Sequence, residues 1–200
     1  CAQVTNPGKF AACAANKGVF LGSINACKEI ADEALEAECV KEVGIGLASP
    51  QACKQISATR YQGLRFDCLD RVALLRDDPS ICEDVKQRDK RGFCYGKIAE
   101  KRQDYALCAK VRNEPIKDKD PFLAPDSCYV YAGERLLAAE ACSFVKYAPR
   151  KAACQKNVAA GIASTSVEKP SMVTDFGPKT CTESGGRICV RAGRLRDASP

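Results

Sequence analysis

The sequence predicts an all-α protein, a disulfide-stapled α/α solenoid of about six two-helix repeats. We expect an irregular C-terminal cap that contains a small disulfide-closed β-hairpin. Three observations predict this fold class: cysteines recur with a regular period, helix-start signals precede them, and apolar and small residues follow them in phase. A fixed period indicates a repeat architecture in which each unit is one supersecondary structure.

The cysteines set the period. Between residues 1 and 154 they alternate in steps of 12 and 14 residues, giving a period of 26, and two of the 12-residue steps are enlarged to 15 and 20. The 14 cysteines are Cys1, Cys13, Cys27, Cys39, Cys53, Cys68, Cys82, Cys94, Cys108, Cys128, Cys142, Cys154, Cys181 and Cys189. The predicted array covers 1–165, in units 1–22, 23–48, 49–77, 78–103, 104–137 and 138–165, and 166–200 form the cap and tail.

A short helix A is predicted around the first cysteine of each unit. Four residues before that cysteine stand side chains that can cap a helix N-terminus, namely Ser23, Ser49, Asp78 and Asp104, and Ala138 departs from the pattern. In "ASPQAC" and "DDPSIC" a proline follows the capping residue, at the first helical position. Three residues after the cysteine, a β-branched apolar residue always follows: Val4, Ile30, Ile56, Val85, Val111 and Val145.

A longer helix B is predicted around the second cysteine. The fourth residue after it is apolar in five units, namely Val43, Val72, Ile98, Ala132 and Val158, whereas Lys17 is the exception. The fifth residue is always small: Gly18, Gly44, Ala73, Ala99, Gly133 and Ala159. A small residue beside an apolar one predicts a helix that approaches its neighbour closely.

Two pairing schemes for the cysteines are compatible with their spacing, one within units and one between units. In the fourth unit Cys82 and Cys94 lie about equally far from a turn near Arg88, so antiparallel helices bring them level. Pairing between units would leave Cys94 and Cys108 offset by roughly 7 Å along the helix axis. We therefore expect pairs within units, with Cys181 bonded to Cys189 in the hairpin "TCTESGGRICV".

The composition indicates an oxidising compartment. The chain has an even number of cysteines, no histidine and no CxxC pair, which favours disulfides over zinc, iron–sulfur or haem ligation. We therefore expect an extracytoplasmic location: periplasm, cell surface or secreted. The net charge of +6 is mild for a nucleic-acid-binding protein, and no apolar run approaches the roughly 20 residues needed to cross a bilayer.

The recurring pattern "CxxV…C…A…D…LC" over residues 1 to about 165 resembles cysteine-rich α/α repeat proteins of bacterial and archaeal cell envelopes. In its repetition of two-helix units it also resembles disulfide-stapled relatives of the tetratricopeptide repeat, whose period is about 34 instead of 26. The resemblance implies a scaffold or binding role and brings no catalytic residues with it.

Two segments are candidates for binding a partner. The insertion 113–127 presents Phe122 and Leu123 between prolines, although a long hairpin tip that packs its own apolar pair is an alternative. Arginines in the tail could meet an anionic partner or simply be solvated. They are Arg187, Arg191, Arg194 and Arg196. Cys1 has two interpretations, as the disulfide partner of Cys13 or as the lipidated first residue of a lipoprotein.

We expect no enzyme, no cofactor and no metal site. Histidine is absent, and the chain has neither GxSxG nor GxxxxGK[ST]. The pairs Asp77 with Asp78 and Asp118 with Asp120 are better explained by a helix cap and a solvated charge run. The expected function is an extracytoplasmic scaffold or accessory subunit that binds other proteins, without nucleic acid, and that reaches a membrane only through Cys1 lipidation or a partner. Alternatives are an envelope lipoprotein, a repeating subunit of an extracellular assembly and a carboxylate-dependent hydrolase.

Overall fold

The structure, a computed structural model, describes residue 1, residues 3–112 and residues 124–167, with side chains as far as residue 164. The chain divides into two compact units, Cys1–Val167 and Glu168–Pro200. The second unit lies outside the described residues, and so do the predicted cap, the hairpin and its pair of cysteines.

The described residues are helical and contain no strand. Six long helices alternate with five short ones. The long helices are α1 Pro7–Leu21, α2 Glu33–Gly46, α4 Gln62–Arg76, α5 Arg88–Arg102, α6 Ala124–Leu136 and α8 Ala148–Val167. The short ones are the α-helices α3 Pro50–Lys54 and α7 Ala139–Ser143 and the 3₁₀ helices η1 Ile24–Glu29, η2 Pro79–Asp84 and η3 Tyr105–Lys110.

The short helices start as the sequence predicts. The side chains of Ser23, Ser49, Asp78 and Asp104 each accept a hydrogen bond from a backbone N–H of the first turn, whereas Ala138 provides none. A short helix lies at each of the five predicted positions, and three of the five are 3₁₀ helices. 3₁₀ geometry is common in such short pieces.

One turn geometry joins each of the first five long helices to the next short helix. The ninth residue after the second cysteine has a positive φ in every case, and the N–H of the following residue donates to the carbonyl of the small residue one turn earlier. Ser49 N–H, for example, donates to Gly44 O at 2.8 Å. The positive-φ residues are Gly22, Ala48, Asp77, Gln103 and Leu137. This Schellman-type turn fixes the 14-residue step between units.

Six disulfides close the hairpins, with Cα–Cα distances of 5.5 to 5.7 Å. They are Cys1–Cys13, Cys27–Cys39, Cys53–Cys68, Cys82–Cys94, Cys108–Cys128 and Cys142–Cys154. These are the pairs of the within-unit scheme. Each bridge joins the short arm of a unit to its long helix, and the insertion in the third unit lies between α3 and α4. The insertion in the fifth unit lies largely outside the described residues.

Each long helix packs on the next long helix along the chain. The core between them consists of the cysteines and the apolar residues beside them, of which Val43, Val72 and Ile98 are fully buried. Helices α5 and α6 approach especially closely because Gly92 and Gly96 face α6. A Cβ on Gly92 would overlap Ala124 O, and a Cβ on Gly96 would lie 2.9 Å from Tyr131 Cδ1.

Candidate functional site

Two of the small residues of the long helices, Gly44 and Gly133, lie against the disulfide of the following unit. A Cβ added to Gly44 would lie 2.8 Å from Cys68 Sγ and 3.2 Å from Cys53 Sγ, and one added to Gly133 would lie 3.1 Å from Cys142 Sγ. The small residue therefore makes room for the bridge of the next hairpin.

Basic side chains donate hydrogen bonds to backbone carbonyls at the ends of several short helices. Arg65 Nη1 donates to Lys54 O at 3.1 Å and to Ile56 O at 3.3 Å. In the next unit Arg91 Nε donates to Val85 O at 3.0 Å. Cations that bind the last carbonyls of a helix satisfy groups that the helix itself leaves unpaired. Arg65 and Arg91 both lie three residues before the second cysteine, which is a signal that sequence reasoning missed.

Three grooves lie at equivalent positions between consecutive units. Groove 2/3 is lined by Glu36, Ala37, Val40, Gln55, Ser57 and Tyr61, among others. Groove 3/4 is lined by Gln62, Arg65, Phe66, Leu69, Asp84, Lys86 and Gln87. Groove 5/6 is lined by Pro125, Asp126, Tyr129, Phe144 and Lys146. Each groove is lined by the residue after the second cysteine of one unit and by the residues two and four positions after the first cysteine of the next unit.

The outer two grooves are larger than the middle one. Grooves 2/3 and 5/6 have volumes of ≈ 350 and ≈ 260 Å³, and groove 3/4 has ≈ 20 Å³. Each groove has an aromatic wall. Tyr61 lines groove 2/3, and Phe66 lines groove 3/4. Lys90 Nζ lies 4.9 Å from the centroid of the Phe66 ring. In groove 5/6 the rings of Tyr129 and Phe144 stack at 5.2 Å, and Phe144 is 53% exposed.

The charge of the grooves changes along the array. In groove 2/3 the charged side chains are paired, Lys28 with Glu36 at 2.8 Å and Arg60 with Glu33. In groove 3/4 the carboxylate of Asp84 pairs with Lys54 at 2.8 Å, and the exposed Lys86 has no carboxylate partner in the part of the chain that the structure describes. In groove 5/6 the carboxylate of Asp126 is fully buried and accepts from backbone N–H groups, while Lys146 is exposed.

A buried carboxylate lies outside the grooves, between α4 and α5. Asp70 is 2% exposed, and its Oδ2 accepts a hydrogen bond from Lys97 Nζ at 2.5 Å. Its Oδ1 has no hydrogen-bond partner. Burial raises the pKa of Asp70, although the ammonium of Lys97 opposes this effect. Because this carboxylate is buried, its protonation affects the stability of the fold.

Several residues that the sequence singled out have structural roles. Cys1 Sγ is bonded to Cys13, so this thiol is engaged in a bridge. Asp77 pairs with Arg102 at 3.0 Å, and Asp78 caps a short helix. Phe122, Leu123, the four tail arginines and the pair Asp118 with Asp120 lie outside the described residues. The structure therefore gives no position for the predicted partner-binding residues.

The groove residues were missed because their types are ordinary. Val40, Leu69 and Tyr129 all follow the second cysteine directly, and alignment of the units on their cysteines would have found this position. Such an alignment does not show where a groove forms, however, since a groove exists only where two units meet.

Across residues 3–112 and 124–167, no group of three or more acidic, histidine or cysteine side chains is arranged to hold a metal ion. Within the same ranges, every helix is too short or too polar to cross a bilayer. The six disulfides indicate an oxidising, extracytoplasmic compartment. Comparison of the chain with protein-family models, curated proteins and solved structures found no match.

Proposed function

We propose that this protein is an extracytoplasmic scaffold or accessory subunit that binds other proteins through the surface of a short helical solenoid. The observation that carries the proposal is the recurrence of one groove position at three junctions between units. Stacked helical repeats form extended surfaces of this kind, and proteins with such repeats use them for binding.

The chemistry of the grooves supports binding better than catalysis. Their walls combine apolar and aromatic side chains with polar rims, as protein interfaces do. The acidic side chains in the grooves are already engaged, because Glu33, Glu36 and Asp84 pair with cations and Asp126 accepts backbone N–H groups. We therefore propose that the protein binds partners and catalyses no reaction of its own.

The disulfides suit this role. Each described bridge closes a loop of about a dozen to 20 residues, and the chain-entropy model assigns such a loop roughly 3 kcal/mol. Short helices gain little stability alone, so the bridges keep the hairpins folded outside the cell. A rigid surface binds a partner without an ordering cost of its own.

Affinity capture of the full chain from its native source, under non-reducing conditions, tests the proposal. The identified partner is then purified and its binding measured directly against wild type, a groove variant carrying Tyr61→Ala and Phe144→Ala, and the matched control Phe20→Ala. Phe20 is 88% exposed and lies outside the grooves. We expect the groove variant to lose binding and the control to keep it. Equal binding by all three proteins would contradict the proposal.

A further inference from the structure

A polar pocket lies where the third, fourth and fifth units meet. Its volume is ≈ 420 Å³, which is larger than that of any of the three grooves. A water molecule needs about 10–15 Å³ of such space, so the pocket has room for a small solute. The described residues that line it are all charged, namely Arg65, Glu83, Asp84, Lys86, Arg91 and Arg112.

The charge of this lining is positive. Four cations and two carboxylates give the described lining residues a formal charge of +2. Both carboxylates are already engaged by other groups. Asp84 Oδ2 lies 2.8 Å from the ammonium of Lys54, which is outside the lining, and Glu83 Oε1 accepts a hydrogen bond from the Tyr95 hydroxyl at 2.8 Å. The acidic residues of the pocket therefore leave an excess of positive charge.

Two arginines of the lining are held in place by backbone carbonyls. Arg65 Nη1 donates to Lys54 O and Ile56 O, and Arg91 Nε donates to Val85 O. Arg91 is only 2% exposed, and Arg65 Nε is buried without a hydrogen-bond partner among the described residues. Cations that the fold has already positioned lose little side-chain entropy when an anion binds. This pair therefore forms a fixed, positively charged wall.

The other two cations of the lining are exposed to solvent. Lys86 has no carboxylate partner in the described part of the chain. The side chain of Arg112 is 62% exposed, and its Nε lies 3.6 Å from Glu83 Oε2, which is beyond hydrogen-bond distance. Exposed cations around a pocket attract anions from solution. The pocket thus combines two fixed cations with two that an anion can reach from solvent.

The excess charge indicates which anion suits the pocket. A phosphate monoester carries about −1.5 to −2 charges at pH 7 and has three strong acceptor oxygens. A carboxylate carries a single negative charge and has only two oxygens. Guanidinium groups bind phosphate with paired N–H donors, and three of the four cations here are arginines. A phosphate group therefore complements the lining better in both charge and number of acceptors.

We infer that this pocket is a binding site for a doubly charged phosphate group, carried either by free phosphate or by a phosphate ester. Arg65 and Arg91 supply fixed positive charge, and Lys86 and Arg112 contact the phosphate oxygens from the solvent side. The site is additional to the protein-binding surface proposed above, although Arg65, Asp84 and Lys86 also line groove 3/4.

Titration of the full, oxidised chain with small anions at low ionic strength tests the inference. The probes are inorganic phosphate, glycerol 3-phosphate and acetate, and binding is measured by calorimetry and by NMR shifts of the lining residues. We expect phosphate in either form to bind at least about tenfold more tightly than acetate. Tighter binding of the ester than of inorganic phosphate would identify an esterified ligand, and equal or weaker binding would identify the free ion. Acetate binding as tightly as phosphate, or shifts outside the pocket, would overturn the inference.

A double variant with a matched control tests the contacts. Lys86→Gln with Arg112→Gln changes two exposed side chains, so the fold should persist. It should weaken phosphate binding about tenfold, since hydrogen bonds to charged groups are the strong ones. Lys9→Gln with Lys156→Gln removes the same two charges from exposed positions on α1 and α8 and should leave binding unchanged. Equal losses in the two double variants would show attraction by net charge alone and would overturn the site.

A change in the opposite direction provides a second test. Glu83→Gln removes one carboxylate from the lining, and the glutamine oxygen can still accept from the Tyr95 hydroxyl. Phosphate should then bind about twofold to fivefold more tightly, the size of an exposed ion-pair effect. Weaker binding of phosphate by Glu83→Gln would contradict the assignment of this pocket.

Discussion

Gly44 lies directly against Cys68, so that a Cβ on Gly44 would be 2.8 Å from the Cys68 sulfur. The same hypothetical Cβ would be 3.2 Å from Cys53 Sγ. Because the sulfurs belong to a covalent bridge between two helices, they cannot rotate away as a flexible side chain would. At Gly44 the absence of a side chain thus makes room for the next unit's disulfide.

We expect Gly44→Ala to destabilise the protein by about 1–3 kcal/mol, the usual cost of overpacking a core. The measurement is denaturant unfolding of the oxidised protein. The control is Gly63→Ala, because Gly63 is also helical and a Cβ there would meet nothing within 4 Å. The Gly63→Ala control should raise the free energy of unfolding by about 0.5–1 kcal/mol, since glycine is a poor helix former. Equal effects of the two changes would show that the bridge tolerates a methyl group.

The turns between units predict opposite effects of glycine and alanine at equivalent positions. Gly22 and Ala48 have φ values of 65° and 46°. The left-handed conformation costs a non-glycine residue roughly 1–2 kcal/mol. Gly22→Ala should therefore lower the free energy of unfolding by about 1 kcal/mol. Ala48→Gly should raise the free energy of unfolding by relieving this cost. The gain should be only about 0.5 kcal/mol, because glycine loses more entropy on folding than alanine does. Thermal melting of both variants checks the pair, and a loss of stability in Ala48→Gly would contradict it.

The six bridges should differ in how readily they are reduced. Cys1 is exposed and Cys13 half-exposed, whereas Cys27, Cys53 and the other described bridge cysteines are at most 2% exposed. Thiol–disulfide exchange needs access to a sulfur. Under graded reduction with alkylation and peptide mapping, Cys1 and Cys13 should be labelled first, while the native fold persists. Simultaneous labelling of buried bridges would show instead that reduction proceeds through global unfolding.

The buried carboxylate of Asp70 predicts a pH dependence. Its pKa is raised in the folded state, so the native protein holds the proton more tightly than the unfolded chain does. Asp70 therefore contributes stability at pH below its ordinary pKa, and this contribution is lost as the pH rises through the folded pKa. Asp70→Asn should raise the free energy of unfolding at pH 7, and the gain should shrink towards pH 3.

The matched variant is Lys97→Met, which leaves the Asp70 carboxylate buried without its cation. It should destabilise at pH 7 by about 3 kcal/mol, as loss of one partner of a buried pair does. The loss should be smaller at low pH, where the carboxyl is neutral. Denaturant unfolding at several pH values measures both variants, and parallel curves for wild type and Asp70→Asn would contradict the assignment.

The helix starts and the disulfide pairing could be predicted because they depend on local rules. Asp78 caps its short helix through a hydrogen bond two residues away, and Cys82 and Cys94 meet because an antiparallel hairpin brings them level. The positive φ of Ala48 could not be predicted in this way. Alanine carries no preference for that conformation, which belongs to the turn that joins α2 to the next short helix.

The sequence by itself determined the period, the arms of each hairpin and the covalent bridges between them, since these follow from spacing and capping along a single stretch of chain. The tertiary structure decided which bridge is accessible, which carboxylate is buried and where grooves open. Those properties arise where two units meet, and the groove beside Phe66 is formed jointly with Lys86 of the following unit. A contact surface between hairpins depends on the orientation of both, which the residue pattern of one hairpin does not contain.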